Sequence, residues 1–169
     1  MNREELRARV AEALTESQGP VMPATLAGRF GVTELEAVRA LPDEMRAFAP
    51  ASSFNDIWAG LATWPSATVI VQHMGCVFEI RSALVPGKHG HGYFNLFGDA
   101  PLGGHLKLDE LDCMCFLSMP FMGKESHSVQ FFHSGGEVMF SIYVGREHHR
   151  IIPAARDSFL ALKEKFGKA

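Results

Sequence analysis

The sequence has few cysteines, no long apolar run and no leader of the secretory kind. Its three cysteines cannot all pair within one chain, so a disulfide framework is not required and a reducing cytoplasm fits best. A membrane helix needs about 20 apolar residues in a row, and no stretch approaches that length. The first ten residues are charged where a signal peptide would be apolar. We therefore expect a cytoplasmic protein without a membrane partner.

The sequence also has no large excess of charge of one sign, and it lacks the common enzyme motifs. Sixteen Lys and Arg against nineteen Asp and Glu give a net charge of −3, so the field of the whole molecule does not attract nucleic acid. The sequence contains no nucleophile elbow, phosphate-binding loop, zinc-protease motif or dinucleotide fingerprint. We therefore expect neither an enzyme nor a protein with a nucleic-acid partner.

The period of the apolar residues changes along the chain. Apolar side chains recur at helical spacing in the first fifty residues, in residues 54–64 and in residues 153–166. From residue 67 the period becomes two, with hairpin turns at Met74-Gly75 and Gly135-Gly136 between strands. Strands are predicted at residues 67–73, 76–82, 91–97, 113–118, 126–132 and 137–144. These patterns predict an α+β fold with N-terminal helices, a mostly antiparallel sheet of hairpins and a C-terminal helix.

The 169 residues are predicted to form a helical segment over residues 1–50 and an α+β core over residues 51–169. Gly19-Pro20 predicts the end of the first helix. Thr33 and Glu36 are spaced as in a capping box, and the helices around them are arranged like a helix-turn-helix. The second helix of that pair carries Glu34 and Glu36, whose charges repel DNA phosphates. A small helical bundle packed on the core is the other interpretation.

Histidines and cysteines are the candidate ligands. His89 and His91 would share one face of a strand and could bind one metal, but no third ligand follows at a recognised spacing, so a polar loop is the alternative. Cys113 and Cys115 lie in a stretch that is apolar on both strand faces, which predicts buried core thiols. The pair His148-His149 is predicted to lie in a solvated turn.

His73 and His105 have the most unusual surroundings. His73 ends a predicted strand and shares its face with Val69 and Val71, so its imidazole is either a core group bonded to a backbone carbonyl or a ligand. His105 follows two glycines, which allow close approach of another group. With 13 Phe and 8 Met in the chain, the composition permits a planar apolar iron ligand such as heme, which takes His or Tyr as an axial donor.

Several motifs of the chain resemble the ChuX/HutX family of bacterial intracellular heme-utilisation carriers. The similarity runs in the same order from about residue 26 to residue 166. The matching segments are EAVRALP, FNDIWAGLATW, HGYFNLFG, GGHLKLDE, PFMGKESHSVQFF and YVGREHHR.

The resemblance implies a cytosolic protein that binds heme and passes it to a downstream heme-degrading enzyme. Such proteins resemble one half of the larger duplicated heme-trafficking proteins, so a homodimer is expected. The family pattern implies heme-iron ligation by His73 and His105, with Tyr93 as a rival axial ligand. Basic side chains that would pair with the heme propionates are Lys107, Arg146 and Arg150. A heme-degrading or heme-reducing enzyme is the alternative function, and a DNA-binding regulator is a third.

Overall fold

A computed structural model describes residues 1–16 and 21–168 and confirms the α+β fold. The helix end predicted at Gly19-Pro20 lies outside the described residues. The α-helices found there are α1 Arg3–Glu16, α2 Pro23–Phe30, α3 Glu34–Arg39, α4 Phe54–Leu61 and α5 Pro153–Phe166. None of these helices is long and apolar enough to cross a membrane.

The centre of the molecule is a six-stranded antiparallel sheet. Its strands are β1 Arg46–Pro50, β2 Ala67–His73, β3 Cys76–Ser82, β7 Leu111–Ser118, β8 His127–His133 and β9 Val138–Val144. Their order across the sheet is β1-β7-β8-β9-β2-β3, so β3 is an edge strand. Strands β2 and β3, and strands β8 and β9, form hairpins at the predicted turns. The predicted strands 67–73 and 76–82 are confirmed residue for residue.

Five further short strands lie outside the central sheet. They are β4 Lys88–Gly90, β5 Tyr93–Leu96, β6 Gly104–Leu106, β10 Arg146–Glu147 and β11 Arg150–Ile151. Strands β4, β5 and β6 form a separate antiparallel sheet, and β10 and β11 form a two-residue ladder. The strand predicted at residues 91–97 is therefore shorter than expected, because His91 has a φ of 53° and belongs to the preceding turn.

The prediction that the first fifty residues are helical is wrong for residues 46–50. Residues 46–50 form β1, which pairs with β7 so that Phe48 lies opposite Cys115. This strand is five residues long and ends in a proline, so its pattern is too short to be recognised locally. Its hydrogen-bonding partner is more than sixty residues away in the sequence. The division of the chain at residue 50 stays a prediction.

One side of the central sheet, which we call the front face, packs against α4, α5 and the small β4–β6 sheet. Val69, Phe131 and Ile142 point to this face and are almost fully buried. Phe131 stacks on Phe140 with ring centroids 4.3 Å apart, and Trp58 packs edge-on against Phe131. Burial of these large rings contributes to the hydrophobic stabilisation of this half of the molecule.

The opposite side, which we call the back face, carries the N-terminal helices over β1, β7 and β8. Cys113, Cys115 and Leu117 alternate with front-face residues along β7 and pack under α1, α2 and α3. The predicted capping box is present at the start of α3. The backbone N–H of Glu36 donates to Thr33 Oγ1, and the backbone N–H of Thr33 donates to the Glu36 carboxylate. The N-terminal helices are therefore part of the same packed body as the sheet.

Candidate functional site

The small β4–β6 sheet presents one buried side and one open side. In β5, Phe94 and Leu96 are buried in the front-face core, while Tyr93 and Asn95 alternate with them and point outward. Asn95 lies opposite His105 of β6, so the register brings the two side chains together. The outward side chains Tyr93, Asn95, Phe97 and His105 form a surface that we call the β5–β6 surface.

A hydrogen bond to Asn95 selects the tautomer of the neutral His105 ring. Asn95 Nδ2 faces the carbonyl oxygens of Lys88, Gly90 and Tyr93 at 3.0–3.3 Å, so this atom is the amide donor. Asn95 Oδ1 is therefore an acceptor, and it lies 2.7 Å from His105 Nδ1. The neutral ring then carries its proton on Nδ1, which leaves the lone pair of Nε2 free to coordinate a metal.

Two aromatic rings flank His105. Its ring centroid lies 5.8 Å from that of Tyr93 and 5.6 Å from that of Phe97, both in edge-on geometry. Phe97 is 70% exposed and Tyr93 is 43% exposed, which is unusual for large apolar or aromatic side chains. Gly104 adopts a φ of +148°, and no atom lies within 4 Å of the position its Cβ would occupy. A planar apolar ligand has open access to the His105 ring on this surface.

His73 lies at the end of the β2–β3 hairpin. It is exposed and, among the described residues, makes no side-chain hydrogen bond or ring contact. The alternative of a core histidine bonded to a backbone carbonyl is therefore wrong, because the hairpin extends beyond the four residues of β2 that pair with β9. His73 shares its strand face with Val69, so it lies on the front side of the sheet. Lys107 is exposed directly after β6.

Arg146 lies in a cleft on the back face, which we call the β3–β10 cleft. This cleft has a volume of about 460 Å³. Arg81 and Glu79 of β3 contribute charged groups to its lining. Its remaining lining residues include Met22, Thr68, Ile70, Val77, Phe121, Ser126, Tyr143, His148 and His149. The structure therefore brings Tyr93 and His105 together and places Arg146 on the opposite face of the sheet.

Hydrogen bonds within the protein hold Arg146 and the neighbouring Glu125 in place beside the cleft. Arg146 donates to the carbonyl oxygens of Glu125 and His149. The Arg156 guanidinium, which donates to the Glu125 carboxylate at 2.6 Å, lowers the pKa of Glu125, and a hydrogen bond with His127 lowers it further. Burial raises the pKa of the Tyr143 phenol, which lines the same cleft.

The other candidate ligands do not form a metal site. His89 Nε2 lies 2.7 Å from Asn55 Oδ1, and His91 is in the turn before β5. No group of three or more His, Cys, Asp or Glu side chains suited to a metal ion occurs in residues 1–16 and 21–168. Cys113 and Cys115 are buried, as predicted, and burial raises their pKa values to about 11 and about 12. His148 and His149 are exposed in a turn, as predicted.

Three side chains that the sequence reasoning missed belong to these surfaces. Asn95 and Phe97 lie inside the HGYFNLFG motif, and the alternation of β5 places them on the same side as Tyr93. Arg81 lies opposite Thr68 in the β2–β3 register, which is the signal that places it in the β3–β10 cleft. The alternation along β5 was a usable signal for Asn95 and Phe97, whereas the contact of Asn95 with His105 and the place of Arg81 depend on strand pairing.

Comparison with known proteins assigns the chain to a family. Residues 47–162 match the family described as Haem utilisation ChuX/HutX. The chain belongs to this family. It is 40% identical over 164 residues to the intracellular heme transport protein HutX of Vibrio cholerae serotype O1, covering 96% of this chain and 84% of HutX. The suspected resemblance to ChuX/HutX proteins is therefore confirmed.

Two solved structures have folds similar to that of this chain. The structure of the heme-binding protein ChuX has a TM-score of 0.83 and 26% identity, covering 95% of this chain and 97% of ChuX. Apo-PhuS, a heme-binding protein from Pseudomonas aeruginosa, has a TM-score of 0.74 and 18% identity, and this chain covers 46% of it. The match to PhuS shows the fold alone, and it confirms that this chain corresponds to about one half of the larger fold.

Proposed function

We propose that this protein binds heme in the cytoplasm and passes it to a downstream heme-degrading enzyme, as part of iron acquisition. The observation that carries the proposal is the His105 ring, whose Nε2 lone pair is free and which lies between two exposed aromatic rings. Imidazole nitrogen is a common axial ligand of heme iron, and aromatic side chains pack well against a porphyrin. The named function of the ChuX/HutX relatives supports the same conclusion.

His105 is the proposed axial ligand, and its partner Asn95 orients the ring toward the ligand. The phenol of Tyr93 lies beside the same ring and is the rival donor. We propose His73 as a further ligand, contributed from the exposed end of the β2–β3 hairpin. Lys107, one residue beyond β6, is suited to pair with a heme propionate by a charge-assisted hydrogen bond.

The open β5–β6 surface supports transport rather than permanent storage. A porphyrin on this surface would be contacted from one side, because Phe97 and Tyr93 are both well exposed. A ligand held on an open surface can be released to a partner protein without unfolding of the carrier. We therefore propose a carrier without catalytic turnover of heme.

We further propose that the working unit is a homodimer. The chain covers only about half of the duplicated fold seen in PhuS. The end of its β2–β3 hairpin also exposes several large apolar side chains, with exposed fractions of 90% for Met74, 55% for Val77 and 56% for Phe78. Exposed apolar patches of this kind commonly mark protein interfaces. Light scattering of the purified protein tests this proposal.

The helix-turn-helix-like segment supports a structural role and no nucleic-acid partner. The Glu34 carboxylate of α3 accepts a hydrogen bond from the backbone N–H of Val138, and Leu35 N–H donates to the carbonyl oxygen of Gly136. A recognition helix reads DNA with its N-terminal residues. In this protein those residues are bonded to the β8–β9 turn.

Titration of the purified protein with hemin tests the proposed function. We expect one tight equivalent per chain at the β5–β6 surface, with a Soret band that weakens or shifts in His73→Ala and in His105→Ala. Unchanged spectra and affinity in the double variant, together with loss of binding in Tyr93→Phe, would assign the iron to Tyr93. Loss of the Soret band on addition of a reductant and oxygen, with catalase present, would instead indicate a heme-degrading enzyme.

A further inference from the structure

The tip of the β2–β3 hairpin, residues 73–76, which we call the hairpin tip, carries three side chains whose donor atoms bind metal ions. His73, Met74 and Cys76 supply an imidazole, a thioether and a thiol within four residues of sequence. All three side chains are exposed, and the exposed fraction of Met74 is 90%. None of them makes a side-chain hydrogen bond within residues 1–16 and 21–168, and Cys76 is a free cysteine. Their nitrogen and sulfur atoms are therefore open to a ligand.

The strand register brings the imidazole and the thiol to one side of the hairpin tip. His73 and Cys76 are paired directly across β2 and β3, as the last pair before the Met74-Gly75 turn. Side chains paired in this way lie on the same face of a sheet, with Cβ atoms about 4.5–5.5 Å apart. Bonds from a metal ion to imidazole nitrogen and thiolate sulfur are about 2.0–2.3 Å long. Both side chains can therefore reach one ion while the backbone keeps its conformation.

The donor atoms select the class of ion. Thiolate and thioether sulfur favour soft ions such as Cu(I), whereas Mg²⁺ and Ca²⁺ prefer oxygen ligands. A structural zinc site needs four ligands, and among the described residues no third His, Cys, Asp or Glu extends such a set at the hairpin tip. Two sulfur atoms and one nitrogen instead suit Cu(I), which accepts two or three ligands. The other two thiols of the chain do not compete, because Cys113 and Cys115 are buried and their pKa values are raised.

We propose that the hairpin tip binds one Cu(I) ion through Cys76 Sγ, a ring nitrogen of His73 and Met74 Sδ. The Cys76 thiol gives up its proton to water as it binds the ion, so the charge of the thiolate balances that of Cu(I). The site goes beyond the proposed heme function and shares one residue with it. Because His73 is also a proposed heme ligand, a bound ion would prevent His73 from binding heme iron. Cys76 belongs to the copper site alone.

Titration of the purified protein with Cu(I) under anaerobic conditions, in competition with the coloured chelator bicinchoninate, tests this site. Cys76→Ser, His73→Ala and Met74→Leu each remove one ligand from an exposed position, so all three variants should fold. His148→Ala is the matched control, because it removes an exposed imidazole from the turn of another hairpin, β10–β11. A hemin titration of Cys76→Ser separates the copper site from the proposed heme function.

We expect one tightly bound ion per wild-type chain and wild-type affinity in His148→Ala. Loss of a partner behind a metal ligand already costs about 10- to 100-fold in affinity. Loss of the Cys76 thiolate should therefore weaken Cu(I) binding by at least about 100-fold, and loss of His73 or Met74 by at least about 10-fold. No stoichiometric binding of Cu(I), wild-type affinity in any of the three ligand variants, or an equal loss in His148→Ala would overturn the proposal. Hemin binding, which Cys76→Ser should leave unchanged, is measured separately, so the heme proposal can fail while the copper site stands.

Discussion

Replacement of Asn95 by alanine tests whether the His105 ring is held ready for iron. In the wild type, Asn95 Oδ1 accepts a hydrogen bond from His105 Nδ1 at 2.7 Å, while Nδ2 is held by three backbone carbonyls. Without the amide, the ring can rotate and its proton can move to Nε2, the nitrogen that would bind iron. We therefore expect Asn95→Ala to weaken hemin binding without removing any ligand.

The size of the effect follows from the role of such supporting hydrogen bonds. Loss of a partner behind a metal-bound histidine typically costs about 10- to 100-fold in metal affinity, or about 1.4–2.8 kcal/mol. The fold should also lose stability, because the variant removes the hydrogen bonds of both amide atoms and each bond contributes about 0.5–1.5 kcal/mol net. With roughly three bonds lost, or about 1.5–4.5 kcal/mol, and about 2–4 °C per kcal/mol, the melting temperature should fall by about 3–18 °C.

A second asparagine–histidine pair supplies the control. Asn55 Oδ1 lies 2.7 Å from His89 Nε2, so Asn55→Ala removes a bond of the same length from a histidine outside the proposed site. Hemin titrations at the Soret band should show weaker binding in Asn95→Ala and wild-type binding in Asn55→Ala. Wild-type affinity in a folded Asn95→Ala protein would show that Asn95 does not hold the His105 ring for iron, and so would an equal loss in both variants.

Three further predictions concern stability and reactivity. Burial raises the pKa of Glu34, and Glu137 raises it further, although a hydrogen bond from Val138 N–H opposes both. Because the carboxyl pKa of Glu34 is higher in the folded chain than in the unfolded chain, ionisation of Glu34 lowers the free energy of unfolding at pH values above the unfolded-state pKa. Glu34→Gln, which cannot ionise, should therefore melt at a higher temperature than the wild type at pH 7. That difference should vanish in acid, and a lower melting temperature at pH 7 would contradict the assignment. Cys76 is exposed while Cys113 and Cys115 are buried with raised pKa values, so a thiol reagent should label one cysteine in the native protein and three after denaturation. Rapid native labelling of more than one would contradict this burial. Phe131→Ala should cost about 3–5 kcal/mol in urea unfolding because the ring is fully buried against Phe140, whereas Leu160→Ala on the exposed side of α5 should cost less than about 1 kcal/mol. Similar losses in the two variants would show that the front face is not the main core.

Local patterns predicted most of the fold. The capping box at Thr33 and the Met74-Gly75 turn are signals contained within a few residues, and both elements are present. Strand β1 could not be found in this way, because its pairing with β7 joins segments that are far apart in the sequence. Strand β6 is three residues long and depends on its register with β5.

The candidate ligand residues of the site could be named from the sequence, whereas the geometry that joins them could not. His105 and Tyr93 were named through the family resemblance, and the β5–β6 register does place their rings together. The role of Asn95 requires knowing that it lies opposite His105 across two strands. Arg146 was also named through the resemblance; the structure places it in the β3–β10 cleft on the other face of the sheet, and its pairing with a propionate stays a prediction.

Rescue by free imidazole is the most direct test of the claim that His105 binds heme iron. His105→Ala removes an exposed ring, so its place on the β5–β6 surface is open to a small molecule from solvent. We expect His105→Ala to lose the wild-type Soret band with hemin and to regain it when imidazole is added, while Tyr93→Phe keeps the band throughout. A wild-type Soret band in His105→Ala without imidazole would contradict iron ligation by His105.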